Sequence, residues 1–254
     1  MSALALRVLA CVSMLCDHIG YLFSGRYPWM EYLRYFGRLA FPLFTYLIVN
    51  GYRLTHSRIR YALRLAIFAV ISQIPFSLFS YGEPFAQRGN VFFTLLLALL
   101  AVWLTDTLKH RFPKSSAVYL PALALAAALH FSPISTDYGA KGILLALTFY
   151  CFEDRALLLP LGILGSVYYT RIISFFFALV RNWQGLPYTF APMSDWEKVQ
   201  FLSLAVLIPI VLYNRKRGSL PKGKFAAFVV KYSFYLFYPA HMLLLYYLKM
   251  FILG

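Results

Sequence analysis

Apolar residues fill this chain in nine blocks separated by short polar connections, over 4–23, 31–52, 60–80, 90–107, 117–131, 139–152, 156–180, 198–213 and 231–252. A helix of about 20 apolar residues crosses the roughly 30 Å hydrocarbon core of a bilayer. The pattern therefore predicts an all-α, polytopic transmembrane helical bundle of about nine spans. The fifth and sixth blocks are short and Arg171 interrupts the seventh, so the count ranges from eight to ten. No long linker or soluble segment separates the blocks, and 1–254 reads as a single membrane domain.

Composition agrees with that pattern: 61% of the 254 residues are hydrophobic and 13% are charged, more apolar surface than a soluble core uses. The net charge of +15 raises the question of nucleic acid. The cations, however, sit in the connections, where they report topology, and no nucleic-acid partner is expected. Arg53, Arg58, Arg60 and Arg64 cluster after the second block, Lys109, Arg111 and Lys114 after the fourth, and Arg215, Lys216, Arg217, Lys222 and Lys224 after the eighth. The alternate connections are poor in cations, which places the N-terminus in the cytoplasm and the C-terminus outside. Arg7, Asp17 and His18 interrupt the first block and no small-residue cleavage site follows, so a retained helix is expected. Cys11, Cys16 and Cys151 are dispersed among apolar residues, which suggests neither a disulfide framework nor a metal centre.

The candidate chemistry lies inside the first and last blocks. His18 follows Arg7 by eleven residues and His241 follows Lys231 by ten, a rise of roughly 15–17 Å in each case. Both helices run outward, so both imidazoles are expected at similar depth near the bilayer midplane, where ionisable groups are costly and usually functional. Asp17 is adjacent, and Arg34 and Arg38 lie one turn apart in the second block, with Arg38 at a depth that suits an Asp17–Arg38 ion pair. Gln73, Asn90, Asp137 and Lys141 add polar groups toward the outer side, and Pro42, Pro75, Pro160 and Pro239 are expected to kink their helices. These residues leave two readings open. One is a reaction cavity; the other is a secondary transporter or proton-coupled exporter, although no repeat relates the two halves.

Several runs resemble the TraX family: Asp17-His18-Ile19-Gly20, Gly37 to Phe44, Ser72 to Phe76, Asn90 to Leu95, Asp137-Tyr138-Gly139, Tyr213-Asn214 with Arg217-Gly218, and Tyr235 to His241. They occur in family order over nearly the whole chain. Gln73 and Ser77 depart from it, standing where members commonly carry a glutamate and often an aspartate. The resemblance implies an integral-membrane acetyltransferase of the bacterial inner membrane, similar to a wider group of acyltransferases whose first helix carries Arg and His eleven residues apart, as Arg7 and His18 do. It implies acetyl-coenzyme A as cytoplasmic donor, and a pilin N-terminus or another envelope-associated amine or hydroxyl as acceptor. On that basis His18 is the candidate base or transient acetyl carrier, oriented by Asp17. His241 is a second proton-transfer group, and Arg38 a stabiliser of negative charge. Arg7, Arg34 and Lys231 are the candidates for holding the coenzyme.

Overall fold

The computed structural model describes residues 1–133, 135–186, 190–216, 218 and 223–253, and among these it is helical, with one isolated parallel bridge between Gly89 and Thr136 and no strand. Arg217 and Lys222 of the eighth connection lie outside the described residues, as do the side chains of Lys224 and Lys231. The first block forms α1 (Ala3–Phe23), opened by Ser2, whose hydroxyl accepts from the Ala5 N–H. The second breaks into α2 (Glu31–Gly37) and α3 (Ala40–Leu54) around Arg38 and Leu39. The third divides at Ser72 into α4 (Arg58–Ile71) and α5 (Gln73–Tyr81), bent by 44°. After these come α6 (Val91–Arg111), α7 (Leu120–Phe131) and α8 (Gly139–Phe152). The seventh block divides into α9 (Leu158–Val167) and α10 (Tyr169–Trp183), bent by 76°. Two short helices, α11 (Asp195–Val199) and α12 (Leu207–Val211), lead to the 30-residue α13 (Lys224–Leu253).

Among the described residues two helices, α1 and α6, are long and apolar enough to cross a membrane by themselves, and four spans meet that test if each bent pair counts as one. The breaks explain why nine uniform spans are not seen. Three of the four prolines expected to kink a helix instead sit in a first turn, Pro42 in α3, Pro75 in α5 and Pro160 in α9. There the missing N–H removes no intrahelical bond, so proline opens a helix where the chain has already turned. Of the four, Pro239 alone lies inside a helix, two residues before His241 in α13.

Helix ends gather in two sets. On one face the N-terminus is pinned to the end of α12, with the Met1 ammonium donating to the Leu212 carbonyl and the Ala3 N–H to that of Lys216 at 2.8 Å. Arg53 pairs with Glu153, Arg215 with Asp154 at 3.0 Å, and Arg58 with Asp106 at 3.0 Å. The second, fourth, sixth and eighth connections thus share this face with the N-terminus. On the opposite face the third and fifth connections meet: the Gly89 N–H donates to the Ser135 carbonyl at 2.9 Å, and Arg88 reaches the Asp137 carbonyl at 2.6 Å. Between the faces lie one large hydrophobic cluster and a smaller one where α6, α7 and α8 meet around Ala126 and Ile143. Leu6, Leu43, Leu65, Leu99, Leu145 and Met242, from six different helices, are fully buried in the larger cluster.

Close helix approach requires small residues. A Cβ on Gly37 would stand 2.4 Å from the Asp17 Cβ, and one on Gly142 would stand 2.3 Å from the Thr94 Cγ2. Gly37 therefore sets how near α2 lies to the polar turn of α1. Gly37→Ala is expected to destabilise the folded protein by about 1–3 kcal/mol through overpacking. Thermal unfolding of wild type and variant in the same detergent checks this, with a lowered midpoint expected.

Candidate active site: a histidine pair between the first and last helices

His18 lies on α1 and His241 on α13, and α13 packs against both α1 and α5. Their side chains meet: His18 Nδ1 is 2.7 Å from His241 Nε2, with the ring planes 7° apart. The proton positions follow from the neighbours. His241 Nδ1 is 2.6 Å from the Phe237 carbonyl, which only accepts, so Nδ1 carries the proton. His241 Nε2 then accepts from His18 Nδ1–H. That leaves His18 Nε2 as a lone pair with no partner among the described residues. The ring is held by Phe79 of α5 at 5.1 Å and Tyr238 of α13 at 6.5 Å. His241 is buried and His18 half-buried.

Asp17, one residue before His18, turns the other way. Its carboxylate accepts a short hydrogen bond from Arg38, and Arg34 Nε is 4.0 Å away. The break between α2 and α3 makes this geometry. Arg38 caps the end of α2, and its Nε donates back to the Arg34 carbonyl at 3.1 Å. Both guanidinium groups lie over the ring of Trp196, at 3.8 Å for Arg34 and 4.7 Å for Arg38.

Trp196 is delivered by α11, which Ser194 and Glu197 close with a capping box. Arg171 anchors that helix with a two-pronged bond to Glu197, at 2.7 and 2.5 Å, and with bonds to the carbonyls of Ala191 and Pro192. The bond to Arg171 and those to the Ser194 N–H and hydroxyl hold the Glu197 carboxyl down at about 2.

Gln73 and Asn90 are structural. The Gln73 amide accepts from Asn90 Nδ2 at 2.9 Å and donates to the Arg88 carbonyl at 2.8 Å, while Asn90 caps α6 by accepting from the Phe92 N–H at 3.0 Å. A carboxylate at position 73 has no hydrogen to give the Arg88 carbonyl, so glutamine suits this arrangement.

On the other side of the histidine pair a cavity of about 450 Å³ opens between α1, α3, α4, α6 and α13. Arg7, Asn50, Thr55 and Arg64 line the end nearer the cation-rich face; Met14 and Tyr238 line the end nearer the histidines. Arg7 is exposed and stands 5.8 Å from the ring of Phe234. Arg34 belongs to the Asp17 cluster and does not line this cavity.

Sequence reasoning missed three residues. Arg64 looked like a topology determinant, and nothing local marks it otherwise. Trp196 sits in a polar stretch, and only the Ser194–Glu197 capping spacing hints at an ordered helix there. Tyr238 is one of 20 tyrosines. Among the described residues no group of three or more His, Cys, Asp or Glu side chains is placed to hold a metal ion.

Fold and site together define a helical, membrane-type protein with a histidine pair walled in between its first and last helices. The chain belongs to the TraX family, whose model, described as TraX protein, matches residues 2–249. It is 32% identical to a protein of Dichelobacter nodosus named probable fimbrial assembly protein FimC, serogroup H1, over 99% of this chain and 97% of the relative. It is 34% identical to Protein TraX of Escherichia coli over 59% of this chain and 57% of the relative. No solved structure matches it.

Because Glu197 titrates far below an ordinary glutamate, its contribution to docking α11 is complete above about pH 4.5 and is lost as pH falls toward about 2. Trp196 fluorescence, read in a variant with Trp29, Trp103 and Trp183 changed to Phe, is expected to report this: unchanged from pH 8 to 5, then red-shifted on acidification. Glu197→Gln in the same background is expected to be red-shifted already at pH 7.

Proposed function

We propose that this protein is an acetyltransferase of the bacterial inner membrane, taking acetyl groups from acetyl-coenzyme A on the cytoplasmic side and passing them to an envelope-associated amine or hydroxyl. The carrying observation is that the His18–His241 pair lies one helical turn beyond Met14 and Tyr238, which line a cavity that also holds Arg7 and Arg64. The reading includes the nine-span topology. The shared face of the N-terminus and the even connections is then cytoplasmic, as its concentration of Arg and Lys favours. The paired helices α2–α3, α4–α5 and α9–α10 each count as one broken crossing.

The coenzyme's phosphates suit Arg7 and Arg64, since guanidinium groups match phosphate geometry, and its slender thioester arm suits a cavity that reaches Met14 and Tyr238, one turn from the histidines. The acceptor's nitrogen or oxygen attacks the thioester carbonyl. A C–N or C–O bond forms, the C–S bond breaks, and the bonding pair leaves on sulfur. His18 Nε2 takes the acceptor's proton and returns it to the departing thiolate. His241, fixed by the Phe237 carbonyl, orients His18 through Nδ1 and stabilises the imidazolium that forms transiently. The role of Asp17 is to hold Arg38, and with it the outer wall, at the turn that carries His18. The name of the Dichelobacter relative favours a pilin-like acceptor.

In purified protein, His18→Ala is expected to stay folded with a lowered thermal midpoint, since it strands His241 Nε2, and to lose acetyl transfer by at least about a hundredfold. Arg7→Ala and Arg64→Ala are expected to raise KM for acetyl-coenzyme A more than they lower kcat. Intact-mass comparison of envelope proteins and glycans from cells with and without the gene identifies the acceptor by the mass of one acetyl group. Substrate uptake by vesicles with no coenzyme consumed, together with full function in His18→Ala, overturns the reading in favour of transport.

A further inference from the structure

Tyr238 is 3% exposed, and its hydroxyl oxygen is buried with no hydrogen-bond partner. A buried hydroxyl left unpaired costs stability, on the order of 1–3 kcal/mol, and few are tolerated without a reason. The location suggests the reason. Tyr238 lines the end of the 450 Å³ cavity nearest the site, one helical turn before His241, with its ring 5.8 Å from that of His241 and 6.5 Å from that of His18. Phe92, edge-on at 5.3 Å, fixes the phenol's orientation. Phe92 belongs to the first turn of the 21-residue α6, so the N-terminus of that helix lies beside Tyr238.

We infer that Tyr238 is the oxyanion donor of the acyl-transfer reaction, its O–H directed at the carbonyl oxygen of a thioester seated in the cavity. This rests on the acetyltransferase reading above and adds a catalytic residue to it. As the acceptor attacks, the carbonyl π pair moves onto oxygen, and the Tyr238 O–H hydrogen-bonds to the negative charge that develops there. When the C–S bond breaks, that pair re-forms the carbonyl. The phenol keeps its proton throughout, and proton transfer stays with His18. The donor is oriented before substrate arrives, because Phe92 and the Pro239 turn hold the ring. The helix dipole of α6 adds positive potential at the same point.

The test is Tyr238→Phe in purified protein reconstituted in nanodiscs. Coenzyme A release from acetyl-coenzyme A is measured with hydroxylamine as the acceptor probe, with His18→Ala run in parallel. The expected result is a fall in kcat of about 10²–10³-fold with KM for acetyl-coenzyme A nearly unchanged, as for loss of one oxyanion donor. The thermal midpoint is expected to stay level or rise, since the lost hydroxyl had no partner to leave behind. Rising hydroxylamine concentration is expected to recover part of the His18→Ala loss, because this nucleophile depends less on a base, and none of the Tyr238→Phe loss. Wild-type-like kcat in Tyr238→Phe, while His18→Ala is inactive, overturns the role of Tyr238 and leaves the acetyltransferase reading standing. A kcat loss that tracks a lowered midpoint also overturns it, by assigning the phenol to packing. A wild type that releases no coenzyme A overturns the acetyltransferase reading, and this inference with it.

Discussion

A hydrogen bond between two imidazole nitrogens, His18 Nδ1 and His241 Nε2, joins the first helix of this protein to the last. In a low-dielectric interior neither ring can be left with an unmet donor, so the Phe237 carbonyl fixes one proton and the pair's geometry fixes the next. The order of protons is therefore set by a backbone atom of α13. Its consequence is a neutral imidazole with one free lone pair, held rigid by Phe79 and Tyr238. A cavity lined by Met14 and Tyr238, one turn from each histidine, lies on one side of the pair, and the Asp17–Arg38 cluster lies on the other.

The two sides differ in how their charges are satisfied. On the cation-rich face Asp106 accepts from Tyr52 at 2.7 Å, Tyr150 at 2.6 Å and Arg58 at 3.0 Å, and Glu153 accepts from Tyr46 at 2.8 Å while pairing with Arg53. These bonds tie the ends of α3, α6 and α8 together, and they make the face a rigid frame for the cavity. On the other face Arg34 and Arg38 share the Asp17 carboxylate, both lie over the ring of Trp196, and Arg34 also lies over that of Tyr21. A cation–π contact is weaker and less directional than a second carboxylate. The α11 segment that carries Trp196 is held in place by the Arg171–Glu197 bond.

Broken helices create the room for this chemistry. Arg38 can reach Asp17 and still cap α2 only because α2 stops at Gly37, and Gly37 has no Cβ to hold α1 away. The bend at Ser72 turns α5 so that Phe79 reaches His18, and Gln73 and Asn90 satisfy the backbone groups near the turn. A straight bundle of uninterrupted spans would pack more simply, but it would leave these polar groups facing lipid.

The sequence by itself determined what depends on composition and on distance along a helix. Blocks of apolar residues dictate helices because a backbone out of water must bond to itself. Fixed rise per residue placed His18 with His241 and Asp17 with Arg38 at common depths, and both pairs do meet. Depth, however, says nothing about rotation around the helix axis or about which neighbour fills a gap. Only the tertiary structure decided that Asp17 faces away from the histidine pair, that Arg34 joins Trp196 and not Arg7, that three prolines begin helices, and that Tyr238 ends a cavity with its hydroxyl unpaired. Those outcomes are set by packing between segments distant in the chain, and packing energy belongs to pairs of surfaces that no local stretch of residues contains.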